Sequence, residues 1–319
     1  MQTQTPKADI GKFTNFYCDG IASALDEFIT LPDDVDIAKY LSDEDCQTLV
    51  DYAVMKNKVA GVGQLYINVP NFNMGKNALE KFGMAGCEII SAKNCQNMPT
   101  SAMIGGNTII EFSSLLDFQQ GELSEIADLT ARAELPTLFH LGQDLEEVGK
   151  IVNLYKHSPA EVLESFGFLD RQCFLLGLNF IDKDDQKLLH DYDATCIFTP
   201  RDDGEHGRGA INLYNFIYNQ LKFGFGSGKC YNIDMLAEGK LALYNTANLM
   251  YDANLISPKE LLAAIACNSD PKEVLDFLGV QNGEKERNLL DKKVNLWQYF
   301  QNDLHLQAQE ISHKLKEKI

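Results

Sequence analysis

Eight short apolar runs recur along the chain: Phe13–Cys18, Val59–Val69, Ala85–Ala92, Ala102–Phe112, Pro136–Leu141, Cys173–Phe180, Ala194–Thr199 and Phe223–Ser227. Several end in Gly, Asn, Pro or a charge, which are turn signals. Stretches with helical period separate most of them. Strands that alternate with helices imply a parallel sheet covered by helices. Eight strands favour closure into a (β/α)8 barrel, although periodicity alone leaves a doubly wound open sheet as the alternative. The glycine-rich segment from Phe223 to Lys229 does not support that alternative. It lacks the G-x-x-x-x-G-K-[ST] spacing, and its G-x-G has no third glycine where a dinucleotide site needs one.

The helical stretches carry their own start signals. Ser42 is placed to cap a helix through Ala53, with acidic Asp45 three residues on. Glu122–Ala133 puts Leu123, Ile126, Ala127 and Ala131 on one face. Ser158-Pro159-Ala160-Glu161 combines a serine cap, a proline at the first helical position and a glutamate at the third. Beyond the eighth run, helices are predicted over Asp234–Tyr251, Ser257–Ala266 and Pro271–Leu278, and in the tail from Leu296, whose Lys314, Lys316 and Lys318 suit a helix C-terminus. The expected organisation is a barrel over residues 1–279 and a helical tail over 280–319, packed on the barrel or on a dimer partner.

Charge narrows the function classes. A net charge of −18 argues against nucleic acid and against adsorption to an anionic membrane, since both need a basic face. No run approaches the roughly 20 apolar residues of a membrane span, and Met1–Lys12 lacks the apolar core of a signal peptide. The eight cysteines show no C-x-x-C pair, which fits buried thiols in a reducing cytoplasm. The expected location is therefore cytoplasmic.

Ordered motifs from Gly11 to Gly279 resemble the amidohydrolase superfamily, in particular its cytosine/guanine deaminase and chlorohydrolase branch. Phe139-His140-Leu141-Gly142-Gln143 stands where that family ends its fifth strand in His-x-x-Glu. His157 to Leu169 (HSPAEVLESFGFL) follows the family's SPxExLxxxGxL closely. Phe198-Thr199-Pro200-Arg201-Asp202-Asp203 takes the place of the seventh-strand Cys-Pro-x-Ser-Asn pattern. Gly226 to Met235, with Asn232-Ile233-Asp234-Met235, matches the eighth-strand Gly-Thr-Asp and the Asn-x-Asp-Met that follows it. Phe13 to Asp19 resembles the first strand, Phe-Val-Asn-x-His-x-His. The β-sandwich that full-length relatives build from flanking segments has no recognisable counterpart in this sequence.

The resemblance implies a divalent metal at the C-terminal mouth of the barrel, making hydroxide from bound water with histidine and carboxylate ligands. Few of those ligands are matched. Tyr17 and Asp19 replace the first-strand histidines, and His140 keeps the fifth-strand ligand. Gln143 replaces the proton-shuttling glutamate, and it cannot exchange protons near neutral pH. Gly177 or Leu178 falls on the sixth-strand histidine, and Gly228 on the eighth-strand aspartate. Gln143 and Gly177 are thus vestigial catalytic positions. The expected pocket groups are Tyr17, Cys18, Asp19, His140, Gln143, Asp202, Asp203, His206, Ser227 and Gly228, with Glu205 and Cys230 nearby and His140 and Asp19 as weak metal candidates. Asp202 to His206 also fits a plain solvated charged loop.

The expectation is a metal-free barrel that cannot run the family reaction and keeps a pocket for a small ligand or a partner, with no cofactor and with homodimerisation to cover its flank. The alternative is an active amidohydrolase or deaminase acting on C–N or C–Cl bonds of a small cyclic substrate through a rewired zinc, iron or manganese site. A third reading is an inactive subunit that pairs with a true amidohydrolase or with itself.

Overall fold

The computed structural model describes residues 11–29, 37–97, 107–266, 274 and 303–318. Eight strands lie in one parallel sheet in chain order: β1 Phe13–Asp19, β2 Val62–Asn68, β3 Ala85–Ser91, β4 Thr108–Phe112, β5 Thr137–Leu141, β6 Cys173–Gly177, β7 Thr195–Phe198 and β8 Lys222–Phe225. Helices follow between and after them: α1 Ala22–Leu25, α2 Asp43–Val59, α3 Met74–Phe82, α4 Gln120–Arg132, α5 Leu145–Tyr155, α6 Pro159–Ser165, α7 Lys183–Asp191, α8 Pro200–Glu205, α9 Leu213–Tyr218, α10 Met235–Met250, α11 Pro258–Ala266 and α12 Asp303–Lys316. This is the (β/α)8 arrangement, and the open-sheet alternative fails at the seam between β8 and β1. There Cys18 bridges Gly228, Asp19 N donates to Gly228 O at 2.9 Å, and Gly228 N donates to Tyr17 O at 3.0 Å. Asn15 adds a side-chain stitch, donating to Ser227 Oγ at 2.9 Å and accepting from Ser227 N at 3.0 Å.

The expected caps form. Ser42 Oγ accepts from Asp45 N at 3.1 Å. Ser158 Oγ accepts from Glu161 N at 3.2 Å while Glu161 returns a bond to Ser158 N at 2.8 Å, a complete capping box behind Pro159. The residues expected to begin the fourth strand at Ala102, the helix over Pro271–Leu278 apart from the helical, buried Val274, and much of the 280–319 tail lie outside the described residues.

Two apolar layers hold the barrel. The larger lies between strands and helices and includes Cys18, Leu65, Ile67, Phe112, Phe139 and Leu175. The smaller fills the barrel itself with Phe16, Tyr17, Tyr66, Ile89, Ile109, Leu138, Phe174, Leu176 and Ile197. An irregular register in β1 lets the adjacent Phe16 and Tyr17 both enter that inner layer. Asn15 pairs Leu65 and Cys18 pairs Ile67, so one extra residue is accommodated as a bulge. Phe16 reaches the axis because Gly224 faces it; a Cβ on Gly224 would lie 2.3 Å from the Phe16 ring. On the outside, α12 packs Ala308, Ile311 and Leu315 inward, and His305 Nδ1 lies 2.8 Å from Tyr52 Oη on α2.

Candidate functional site at the barrel mouth

The strands are parallel, so all their C-terminal ends open at one mouth. Glu111 on β4 is the hub there. Its carboxylate is buried, accepts from Tyr17 Oη at 2.8 Å, meets His140 Nε2 at 2.8 Å through the same oxygen, and accepts from Asn68 Nδ2 through the other. His140 Nδ1 lies 3.1 Å from Gln143 Oε1, and the Tyr17 ring meets the imidazole edge-on, centroids 5.6 Å apart. Both ring nitrogens of His140 thus face side-chain oxygens, an arrangement that favours the protonated ring. Burial pulls the His140 pKa down, but the hydrogen bond and charge of Glu111, with Gln143, outweigh it and hold the pKa above its ordinary value. Burial, reinforced by the charges of Glu111 and Asp19, pushes the Tyr17 phenol well up, so it stays neutral.

Two glycines define the mouth by what stands beside them. Gly177 has φ +103, and a Cβ there would lie 2.0 Å from Gln143 Cγ. Gln143 therefore occupies the room a sixth-strand side chain would need. Leu178, the other register for that position, turns its side chain into the outer layer at φ +68. Gly228 has φ +58, and a Cβ there would lie 2.5 Å from Asp202 Oδ2. Asp202 fills the place beside the eighth strand from a different element.

Asp202 and Asp203 do not form the solvated loop that their charge suggests. They sit in α8, entered through Pro200, and both carboxylates are buried. Arg208 Nη1 holds Asp202 Oδ2 at 2.9 Å and reaches Asp203 Oδ1 only at 3.7 Å. Burial pushes the Asp203 pKa up to about 6, with Arg208 opposing and Asp202 adding to the rise. His206 Nδ1 is 2.8 Å from the Asp202 carbonyl and 3.2 Å from its Oδ1. Asp19 accepts from Ala22 N at 2.8 Å, and burial raises its pKa against the pull of Lys229.

Three expected members lie elsewhere. Cys18 faces the helices, with its sulfur 3.4 Å from Ser23 Oγ and 3.5 Å from Asn57 Nδ2, because the β1 bulge turns Tyr17 inward and Cys18 outward. Ser227 is consumed by the seam with Asn15. Cys230 is buried with its sulfur 3.9 Å from Glu205, near the Arg201–Glu238 ion pair of 2.7 Å. The hub itself, Glu111, was missed, as were Asn68, Asn179 and Arg208. Glu111 left one trace: it is the sole charge in the run Ala102–Phe112. A groove of 560 Å³ lined by Lys183, Lys187, His190, Tyr214 and Tyr218 lies on the flank between α7 and α9 and includes none of the mouth groups.

In this structure His140 is engaged at both ring nitrogens and Glu111 at both oxygens, whereas a metal ligand needs a neutral imidazole with a free nitrogen. Among the described residues, no three His, Cys, Asp or Glu side chains form a group that could hold a metal ion.

Over nearly the whole chain, the backbone superposes on an adenosine deaminase from Xanthomonas campestris with bound zinc: TM-score 0.77, 10% identity, 97% of this chain and 85% of that one. The two share the (β/α)8 barrel fold. A guanine deaminase from C. acetobutylicum gives a TM-score of 0.67 at 12% identity, over 95% of this chain and 82% of that one. The atrazine chlorohydrolase from Arthrobacter aurescens TC1 gives 0.64 at 14% identity, over 80% of this chain and 69% of that one. In sequence, 150 residues, 46% of this chain, are 20% identical to a 5-methylthioadenosine/S-adenosylhomocysteine deaminase of Caldicellulosiruptor saccharolyticus. A protein of the same name from Thermococcus kodakarensis is 26% identical over 132 residues, 40% of this chain. These matches span about a third of the relatives' own length, 35% and 31%. No family model matches the chain.

Proposed function

We propose that this amidohydrolase-fold chain does not run metal-dependent hydrolysis and uses the barrel mouth to bind a small ligand. The observation that carries the reading is His140, whose two ring nitrogens are engaged by Glu111 and Gln143. A histidine so engaged has neither ring nitrogen open to a metal. Supporting it, Gln143 and Asp202 crowd the glycines that stand at the sixth- and eighth-strand ligand positions. Tyr17, Asp19, His140 and Gln143 then serve as pocket walls and anchors instead of catalytic groups.

One observation favours the second reading, an active deaminase with a rewired site. Asp202 supplies a carboxylate beside Gly228, close to where the resemblance puts an aspartate. Elemental analysis of protein purified without chelators or a histidine tag separates the two, run beside ammonia release from, and binding of, adenosine, guanine and 5′-methylthioadenosine. The proposal expects metal far below one per chain, no ammonia release with or without added zinc, and nucleoside binding that E111Q alters. Stoichiometric zinc, iron or manganese, with turnover that a chelator abolishes, overturns it.

A further inference from the structure

The groove between α7 and α9 lies apart from the mouth, and its walls are helices that follow the neighbouring strands β6 and β7. Lys183, Lys187 and His190 stand at i, i+4 and i+7 on α7, so they form one row along that wall. Tyr214 and Tyr218 stand at i and i+4 on α9 and stack on each other, with centroids 5.9 Å apart and planes at 27°. Gln186 is buried between the walls and accepts from Asn219 Nδ2 at 2.8 Å, which ties the two helices together beneath the groove. Tyr218 is nevertheless 72% exposed.

The groove is cationic on a strongly acidic chain. The net charge is −18, yet among the described residues two lysines and no carboxylate line it. Asp185 on the same helix is engaged by Ser158 Oγ, and Asp191 lies 3.5 Å from His190 Nδ1. His190 therefore already has a carboxylate beside it, and the charge of the groove rests on the lysines. Among the described residues neither Lys183 nor Lys187 is paired with a carboxylate. One turn apart on one face, their ammonium groups repel each other. A bound dianion removes that cost.

Shape selects the occupant. From Lys183 to His190 a helix advances about 10 Å, the span of about three extended residues. Helical walls have spent their backbone groups internally, so a peptide finds no strand edge to pair with. A volume of 560 Å³ suits a small molecule. We infer that this groove is a second ligand site, independent of the mouth, for a small phosphate monoester carrying a planar ring. The phosphate lies between Lys183 and Lys187, and the ring lies against Tyr214 and Tyr218. Such a phosphate carries about −1.5 to −2 charges at neutral pH, which two lysines balance as point charges.

Calorimetric titration of the full chain with phenyl phosphate, inorganic phosphate and benzyl alcohol tests the inference. Phenyl phosphate should bind more tightly than either half of itself, and more weakly as salt rises. K183Q/K187Q should weaken it about fivefold or more, the loss expected of two exposed ion pairs. Y218A should weaken it by about the same factor through lost stacking. All three positions are exposed, so the fold tolerates the changes. K150Q, which removes an exposed lysine from α5, should leave binding unchanged. Failure of phenyl phosphate to bind, or equal binding of inorganic phosphate or benzyl alcohol, overturns the inference. So does phenyl phosphate binding that the groove substitutions leave intact, since the anion then sits elsewhere, the mouth included. Neither metal content nor nucleoside binding at the mouth bears on either result.

Discussion

Replacing Glu111 with glutamine tests the imidazolium directly. The substitution keeps the size of the side chain but removes the charge that holds the proton on His140. In the wild type the His140 pKa is raised above its ordinary 6.5. A group whose folded pKa is raised contributes stability that is fully present below the unfolded value and is lost as pH climbs through the folded value. Wild-type stability from this source should therefore be complete below about pH 6.5 and be lost as pH climbs through the raised folded value. The pair is buried, with side-chain exposures of 19% for His140 and 4% for Glu111. Removing one partner of such a pair costs about 3–5 kcal/mol. The full cost should appear at pH 6 and a smaller one at pH 9, since less of the protonated ring remains to be paired as pH rises. Urea unfolding of both proteins at pH 6 and 9 measures the difference, and NMR titration of the His140 ring reports its pKa. An equal loss at both pH values, or a wild-type His140 that titrates below 6.5, would refute the reasoning.

Two further outcomes follow from the same geometry. Gly228→Asp restores the carboxylate that the resemblance expects, yet it should lower stability by roughly 1–3 kcal/mol, because it puts a side chain on a left-handed residue against Asp202. Its metal content should match the wild type; a stable, zinc-loaded G228D would show that the mouth still has room for the site. His305→Ala removes the group set 2.8 Å from Tyr52 Oη, where Tyr52 also donates to Glu27 at 2.7 Å. Limited proteolysis should then cleave near α12 several-fold faster with the barrel left intact; unchanged cleavage would mean that Ala308, Ile311 and Leu315 anchor the helix alone.

The barrel was legible in the sequence because its signals are local and repeated. Each strand is a short apolar run closed by a turn residue, and Ser158-Pro159-Ala160-Glu161 encodes its cap within four positions. The mouth was half legible. Tyr17, Asp19, His140 and Gln143 hold strand-end positions fixed by motif order, and three of them meet at Glu111 or His140 as contacts. Glu111 could not be singled out, because its partners lie 94, 43 and 29 residues away in sequence. Cys18 was expected at the mouth beside Asp19, and the bulge that brings Phe16 and Tyr17 both inward and leaves Cys18 outward has no mark in composition. Asp202 and Asp203 read as loop residues since five acidic or basic groups crowd into Asp202–Arg208, and only packing reveals that α8 carries two of them inward.

The stitched seam between β8 and β1 also sets the order in which the barrel can be completed. Asn15 and Ser227 stand 212 residues apart. At 5–20 residues per second, a ribosome needs about 10–40 s to make the intervening chain. Through that interval β1 can pair with β2 but has no neighbour on its other side, so the newborn chain carries one open strand edge until its last strand is made. Ring closure must wait for that strand, and it depends on a backbone bridge and the hydrogen bonds of a single asparagine.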